Sequence, residues 1–289
     1  MTAAIRHVAV IGAGTMGHGI AYVALAAGYH VALADADRDA LLAAHDRIAG
    51  SFAAAIERKK LSAADRDAGL ARLATFPALE SAAAGADLVI EAVPERMDLK
   101  RSLFTAAHAA APPHAILASN TSSLSISDIA AAVPRPERVV GMHFFNPVAA
   151  MRLVEIVRGA ATSDATVEGV RAFAESLGKT AIVVQDSPGF ATSRLGLALG
   201  LEAVRMLEAG VASAADIDRA MELGYNHPIG PLRLGDIVGL DVRLAIADHL
   251  HTALGSDVFR APELLRRMVA EGKLGRKSGE GFYFWDGDT

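Results

Sequence analysis

Gly12-Ala13-Gly14-Thr15-Met16-Gly17 follows a short apolar run and carries the spacing G-x-G-x-x-G. Glycines at those places let the backbone approach a pyrophosphate. A helix opening there offers unpaired N–H groups and the positive end of its dipole. Asp35 stands eighteen residues beyond Gly17. A carboxylate at that remove accepts hydrogen bonds from the hydroxyls of an adenosine ribose and repels a 2′-phosphate, which favours NAD over NADP. Arg38 lies close enough in sequence to leave NADP open.

His143 and Glu155 suggest a second kind of chemistry. Oxidising an alcohol by hydride transfer needs a base for the hydroxyl proton, and histidine is suited to that near neutral pH. A carboxylate on the other ring nitrogen would hold the tautomer and stabilise the imidazolium. The chain has ten histidines, and a His–Glu pair is more often structural than catalytic. Taken alone, the pair leaves both readings open.

The elements around these residues alternate. Val8 to Ile11 reads as a buried strand, Met16 to Ala27 as a helix ending at Gly28, and Tyr29 to Ala34 as a second strand, which together form a βαβ unit. Asp37 to Lys60 reads as a long helix. A capping-box pattern at Ser62-Ala63-Ala64-Asp65 opens another, to about Leu73. Strands are expected at 87–93, 115–118, 139–143, 153–157 and 181–184, with helices at 98–110, 125–132 and 164–177. From Pro188 only helical periodicity remains, at 190–209, 213–223, 232–254 and 262–271. The predicted fold is α/β: a Rossmann-like, doubly wound, mainly parallel sheet with an inserted helical hairpin over residues 1–186, and an all-helical C-terminal domain over 187–289.

Composition narrows the class. The chain has 289 residues, is 52% hydrophobic but only 5% aromatic, and carries a net charge of −5. That balance disfavours general attraction to nucleic acids or anionic membranes. With no cysteine, disulfides, thiolate metal sites and cysteine nucleophiles are excluded, and no metal site is expected. No charged Asp, Glu, Lys or Arg occurs between Arg6 and Asp35. The stretch is long enough to span a membrane, but its glycines break it into short pieces. The N-terminus shows no leader pattern, so a cytoplasmic location is expected.

Several of these stretches closely resemble 3-hydroxyacyl-CoA dehydrogenases, especially the short-chain 3-hydroxybutyryl-CoA group. They are Gly12 to Ala21, Ser119-Asn120-Thr121-Ser122-Ser123-Leu124, and His143-Phe144-Phe145-Asn146-Pro147 with Leu153-Val154-Glu155. The resemblance continues through Asp186-Ser187-Pro188-Gly189-Phe190, Gly230-Pro231-Leu232, Gly239-Leu240-Asp241 and Gly279-Glu280-Gly281-Phe282-Tyr283, covering almost the whole chain in order.

The resemblance implies NAD-dependent oxidation of a 3-hydroxyacyl-CoA to the 3-oxoacyl-CoA. It implies His143 as general base, Glu155 as its orienting carboxylate, and Ser122 bonded to the substrate hydroxyl near the nicotinamide, with Asn146 at the nicotinamide end. Glu95 and Lys100 would line the cofactor cleft, and Lys277 would approach from the C-terminal segment. Against this, both lysines also read as ordinary surface cations. Ser51, Arg58 and Lys59, on the helical hairpin, would meet the phosphates of coenzyme A. A homodimer through the C-terminal domain is also implied.

One position departs from the family. Where an asparagine usually follows Ser-Pro-Gly-Phe, this chain has Ser193, whose hydroxyl is shorter and offers one donor rather than two. A free hydroxy acid as substrate, and a catalytically silent NAD-binding protein, are the alternatives on the same fold.

Overall fold

A computed structural model describes residues 5–285. It divides into two compact units, one ending at Ser187 and one beginning at Pro188.

The first unit alternates strands and helices. In chain order it contains β1 (His7–Ile11), α1 (Thr15–Ala26), β2 (His30–Ala34), α2 (Arg38–Glu57), α3 (Ala63–Leu70), β3 (Leu73–Phe76), α4 (Leu79–Ala83), β4 (Leu88–Glu91) and α5 (Met97–Ala110). It continues with β5 (Ile116–Ser119), α6 (Ile126–Ala130), β6 (Val139–Phe144), β7 (Leu153–Arg158), α7 (Asp164–Ser176) and β8 (Thr180–Gln185). The eight strands form one sheet in the order β3-β2-β1-β4-β5-β6-β7-β8. Every pairing is parallel except β6 with β7. Strand order reverses beside β1, and in such sheets ligands bind beyond the carboxyl ends of the strands at that switch point.

The central strands are buried on both faces, which explains their continuous apolar runs. The inserted hairpin of α2 and α3 packs through Phe52, which is fully buried and meets the Tyr22 ring edge-on at 5.0 Å. The capping box forms as read: Ser62 and Asp65 each accept the other's backbone N–H.

Two local expectations are corrected. The second hairpin helix ends at Leu70, not Leu73, and Leu73–Phe76 is an edge strand paired with β2. That strand is partly exposed on both faces, so it lacks the apolar run by which the central strands are recognised. The segment 232–254, read as one helix, is two. Gly239 adopts φ 104°, outside helical space, between α10 (Pro231–Val238) and α11 (Leu240–Leu254).

The second unit is helical, with α8 (Thr192–Glu208) and α9 (Ala214–Tyr225) before that pair and α12 (Glu263–Ala270) after it. Leu197, Leu201, Leu232, Leu240, Leu250 and Leu265 belong to its core. Two buried carboxylates organise it. Asp218 accepts the N–H groups of Leu232 and Arg233 at the start of α10, and the Tyr283 hydroxyl at 2.6 Å. Asp236 accepts from the N–H groups of Phe282 and Tyr283 and from Trp285 Nε1, all at 2.9 Å. A Cβ on Gly230 or Gly281 would fall 2.2 Å from one of these carboxylates, so those motif glycines are explained by packing. Among the described residues no helix is long and apolar enough to cross a membrane.

Candidate active site

The glycine-rich loop joins β1 to α1. Gly12 adopts φ 103°, and a Cβ there would lie 2.8 Å from Ala92 O; a Cβ on Gly17 would lie 1.7 Å from Gly12 O. These two glycines let the loop fold tightly against β4 and its own helix. Gly14 differs, since nothing lies within 4 Å of its Cβ position. It is the N-cap of α1 and provides no side-chain cap, leaving the first-turn N–H groups for an incoming anion. Ala13, Thr15 and Met16 complete the turn.

Asp35, just beyond β2, accepts the Ala13 N–H at 2.7 Å through Oδ2 and the Asp37 N–H at 2.9 Å through Oδ1. It thereby ties the loop to the neighbouring strand while remaining partly exposed. A cleft of about 470 Å³ opens between the two, lined by Gly12, Gly14, Asp35, Val93, Pro94 and Leu99 among others. An apolar wall with a carboxylate at one side and an uncapped helix N-terminus at the other fits a dinucleotide.

A polar cluster lies next along the sheet edge, where β4 and β5 end. Glu91 and Ser119 are register partners in these strands. Lys100, on α5, is only 1% exposed, and its ammonium sits 2.7 Å from Glu91 and 3.3 Å from Glu95. It is thus neither a surface cation nor a lining group, but lies behind Glu95. Glu95 Oε1 accepts from Thr121 Oγ1 at 2.6 Å and from the N–H groups of Ser122 and Ser123 at 3.0 and 3.2 Å. Burial pushes the Glu95 carboxyl up. The Thr121 hydroxyl, the Lys100 charge and the Ser122 and Ser123 donors outweigh it and hold the group below the usual carboxylate range.

His143 and Glu155 occupy paired positions on β6 and β7. His143 Nδ1 and Glu155 Oε2 are 2.7 Å apart, and Glu155 is fully buried. With the carboxylate accepting at Nδ1, Nε2 is the nitrogen that carries the lone pair. The Phe145 ring leans on the imidazole at 4.3 Å. Asn120 Oδ1 accepts the Phe144 N–H at 2.9 Å, joining the turn after β5 to the end of the histidine's strand. The loop between β6 and β7 carries Asn146, exposed and followed by a cis peptide to Pro147. Lys179, largely buried, donates to the carbonyls of Val148 and Met151 in that loop.

The remaining predicted residues are carried by other elements. Ser51 donates its hydroxyl to Arg47 O at 2.8 Å on α2, and Arg58 and Lys59 are exposed where the hairpin turns. In the helical unit, Ser193 is in the first turn of α8, and Lys277 is paired with Asp241 at 2.6 Å. The reading from sequence passed over Glu91, Ser119, Asn120 and Thr121 as site residues. A signal for Glu91 was present, since it is the one carboxylate within the apolar run Leu88-Val89-Ile90-Glu91-Ala92-Val93. Among the described residues, no group of three or more histidines and carboxylates is placed to hold a metal ion.

Comparison with known proteins adds an independent finding. Residues 7–187 match the family model for the NAD binding domain of 3-hydroxyacyl-CoA dehydrogenase, and residues 189–285 match that for its C-terminal domain. The chain is 45% identical over 285 residues to a probable 3-hydroxybutyryl-CoA dehydrogenase of Bacillus subtilis, covering 99% of each. It is 44% identical over 287 residues to a 3-hydroxybutyryl-CoA dehydrogenase of Bradyrhizobium diazoefficiens, covering 99% of this chain and 98% of that one. The crystal structure of (S)-3-hydroxybutyryl-CoA dehydrogenase from Ralstonia eutropha superposes with a TM-score of 0.95 at 42% identity, covering 98% of this chain and all of the other.

Proposed function

Because the chain belongs to the 3-hydroxyacyl-CoA dehydrogenase family, we propose that it oxidises short-chain (S)-3-hydroxyacyl-CoA, such as 3-hydroxybutyryl-CoA, with the dyad of His143 and Glu155 as its catalytic centre. It is an NAD-dependent oxidoreductase acting on a CH–OH group. The observation that carries the assignment of the centre is the buried 2.7 Å contact between Glu155 and His143 Nδ1.

Gly12 to Gly17 would hold the cofactor's pyrophosphate and Asp35 its adenosine ribose. Glu95, Ser122 and Asn146 would border the nicotinamide end, and Lys277 is a further proposed cofactor-binding residue. When bound, NAD supplies the hydride acceptor. Ser122 would donate to or accept from the substrate's 3-hydroxyl and fix its orientation. His143 Nε2 takes the hydroxyl proton as the C3 hydrogen departs with its electron pair, so that C3 and its oxygen become a carbonyl. Glu155 stabilises the imidazolium that results and keeps the ring in place. In the opposite direction the same imidazolium returns the proton.

Ser51, Arg58 and Lys59 are the proposed contacts for coenzyme A phosphates, supported by the three adjacent exposed cations Arg58-Lys59-Lys60 in an otherwise acidic chain. Ser193 would act on acyl-chain preference. A homodimer formed through the helical unit is supported by its exposed Leu195, Leu223 and Tyr225, which are 72%, 81% and 76% accessible; a cytoplasmic location remains an expectation from the sequence. NADH formation from 3-hydroxyacyl-CoA esters of increasing length, with NADP and free hydroxy acids in parallel, tests the proposal. Turnover of free acids alone would refute the CoA assignment. Binding of NAD without turnover of any ester would refute the activity.

A further inference from the structure

The cluster behind Ser122 contains more charge than packing requires. Glu91, 2% exposed, accepts the Val93 N–H and the Lys100 ammonium through Oε1, each at 2.7 Å. Its Oε2 accepts the Ser119 hydroxyl at 2.7 Å, and Ser119 Oγ in turn accepts the Thr121 N–H at 3.2 Å. Lys100 donates from its ammonium to Glu91 at 2.7 Å and to Val93 O at 3.3 Å, and pairs with the Glu95 carboxylate at 3.3 Å. Two routes therefore run from Glu91 to the same turn. One goes through Ser119 to Thr121, and the other through Lys100 and Glu95 to residues 121–123.

A buried ion pair is a poor investment in stability, because desolvation offsets most of the attraction and apolar residues of the same volume do as well. What a buried pair with every lone pair satisfied does provide is a fixed geometry. Here the fixed object is Glu95 Oε1, within reach of Thr121, Ser122 and Ser123. The contact to the Ser122 hydroxyl is the longest of these, at 3.4 Å, so that hydroxyl is held in place yet is the least committed donor.

We propose that Glu91, with Lys100, is a positioning residue for the reaction: it sets the Ser122 hydroxyl by bracing both the Glu95 carboxylate and the Ser119–Thr121 turn. This rests on the role given to Ser122 in the proposed function. Glu91→Gln preserves shape but removes the charge that holds Lys100, and it places an amide where the Ser119 hydroxyl needs an acceptor.

Three measurements test it. In Glu91→Gln, kcat with 3-hydroxybutyryl-CoA falls by about tenfold or more while KM and NAD affinity stay within about threefold, the signature of lost alignment. In a Ser122→Ala background the same substitution lowers kcat by less than about twofold, because the group it positions has gone. Without any substrate, amide hydrogen exchange at Ser122, Ser123 and Leu124 quickens by about tenfold. Ser119→Ala, which cuts one route without touching a charge, shows the same pattern more weakly and serves should Glu91→Gln fail to fold. Unchanged kcat and exchange overturn the proposal, as do losses that multiply fully with Ser122→Ala. If the wild-type protein turns over no 3-hydroxyacyl-CoA, the functional reading fails, whereas the exchange measurement still decides whether Glu91 braces the turn.

Discussion

His143 and Glu155 face each other across the single antiparallel pairing in an otherwise parallel sheet, twelve residues apart in the chain and 2.7 Å apart in space. The pairing register brings them together, so backbone hydrogen bonds on both strands define the dyad's geometry.

Replacing His143 with Gln should reduce turnover by about 10³-fold or more while NAD affinity changes little, since general base catalysis typically contributes 10²- to 10⁴-fold. Glu155→Gln should retain binding and lose about 10²-fold or more in kcat, as the imidazolium loses its counter-charge. Steady-state kinetics with a parallel NAD titration decide this. A fully active His143→Gln would sink the mechanism.

Two glycine substitutions should separate folding from binding. Gly17→Ala forces a methyl to within 1.7 Å of Gly12 O, so it should collapse the loop and lower the melting temperature. Gly14→Ala meets nothing within 4 Å, so its melting temperature should hold, whereas NAD affinity drops by about tenfold or more as the methyl enters the phosphate's approach. Calorimetry beside a binding titration distinguishes the two, and unchanged affinity in Gly14→Ala would remove the loop from the cofactor site.

Asp35 predicts the cofactor preference. Its carboxylate disfavours a 2′-phosphate, so kcat/KM should be higher with NAD than with NADP by about 10²-fold, and Asp35→Ser should narrow the ratio. The same change removes the acceptor of the Ala13 N–H. Some loss with NAD is therefore expected too, and equal use of both cofactors by the unaltered enzyme would contradict the assignment.

The depressed pKa of Glu95 has a definite sign. A carboxyl held below its ordinary value of 4.5 contributes stability that is fully present above that value and is lost as pH falls through the lower folded value. The turn at 121–123 should therefore stay ordered at neutral and mildly acidic pH and loosen only below about 4.5. Lys100→Met removes one of the lowering causes, so loosening should begin at a higher pH. Amide exchange of Ser122 to Leu124 against pH measures both, and identical profiles would show that Lys100 does not act on Glu95.

In the helical unit, Asp236→Asn should destabilise by about 2–3 kcal/mol, because one carboxylate oxygen that accepts buried donors becomes a donor itself. The effect should appear in the denaturant midpoint, with little change in NAD affinity. A neutral result would mean the C-terminal segment is held by its aromatic contacts with Arg233 and Arg276.

The features legible in the sequence were those whose cause is local. The glycine spacing, the capping box at Ser62 and Asp65 and the apolar central strands each announce themselves within a few residues. The edge strand Leu73–Phe76 escaped because it is half exposed and has no β-branched run, and the break at Gly239 escaped because helical periodicity continues across it. The bracing around Ser122 was hidden for another reason. Glu91 meets Lys100 nine residues on and Ser119 twenty-eight residues on, and no spacing rule within a single strand points to either.

The antiparallel pairing of β6 and β7 also bears on how the site assembles. Bringing His143 to Glu155 closes a loop of twelve residues, whereas Glu95 reaches Ser122 across twenty-seven and Asp35 reaches the glycine loop across twenty-two. Closing a shorter loop sacrifices less chain entropy, so the acid–base pair has a lower contact order than the contacts that shape the turn at Ser122 and the cofactor loop. A chain that has begun to fold, or to melt, can therefore hold its proton-transfer machinery while it still lacks an ordered place for the cofactor.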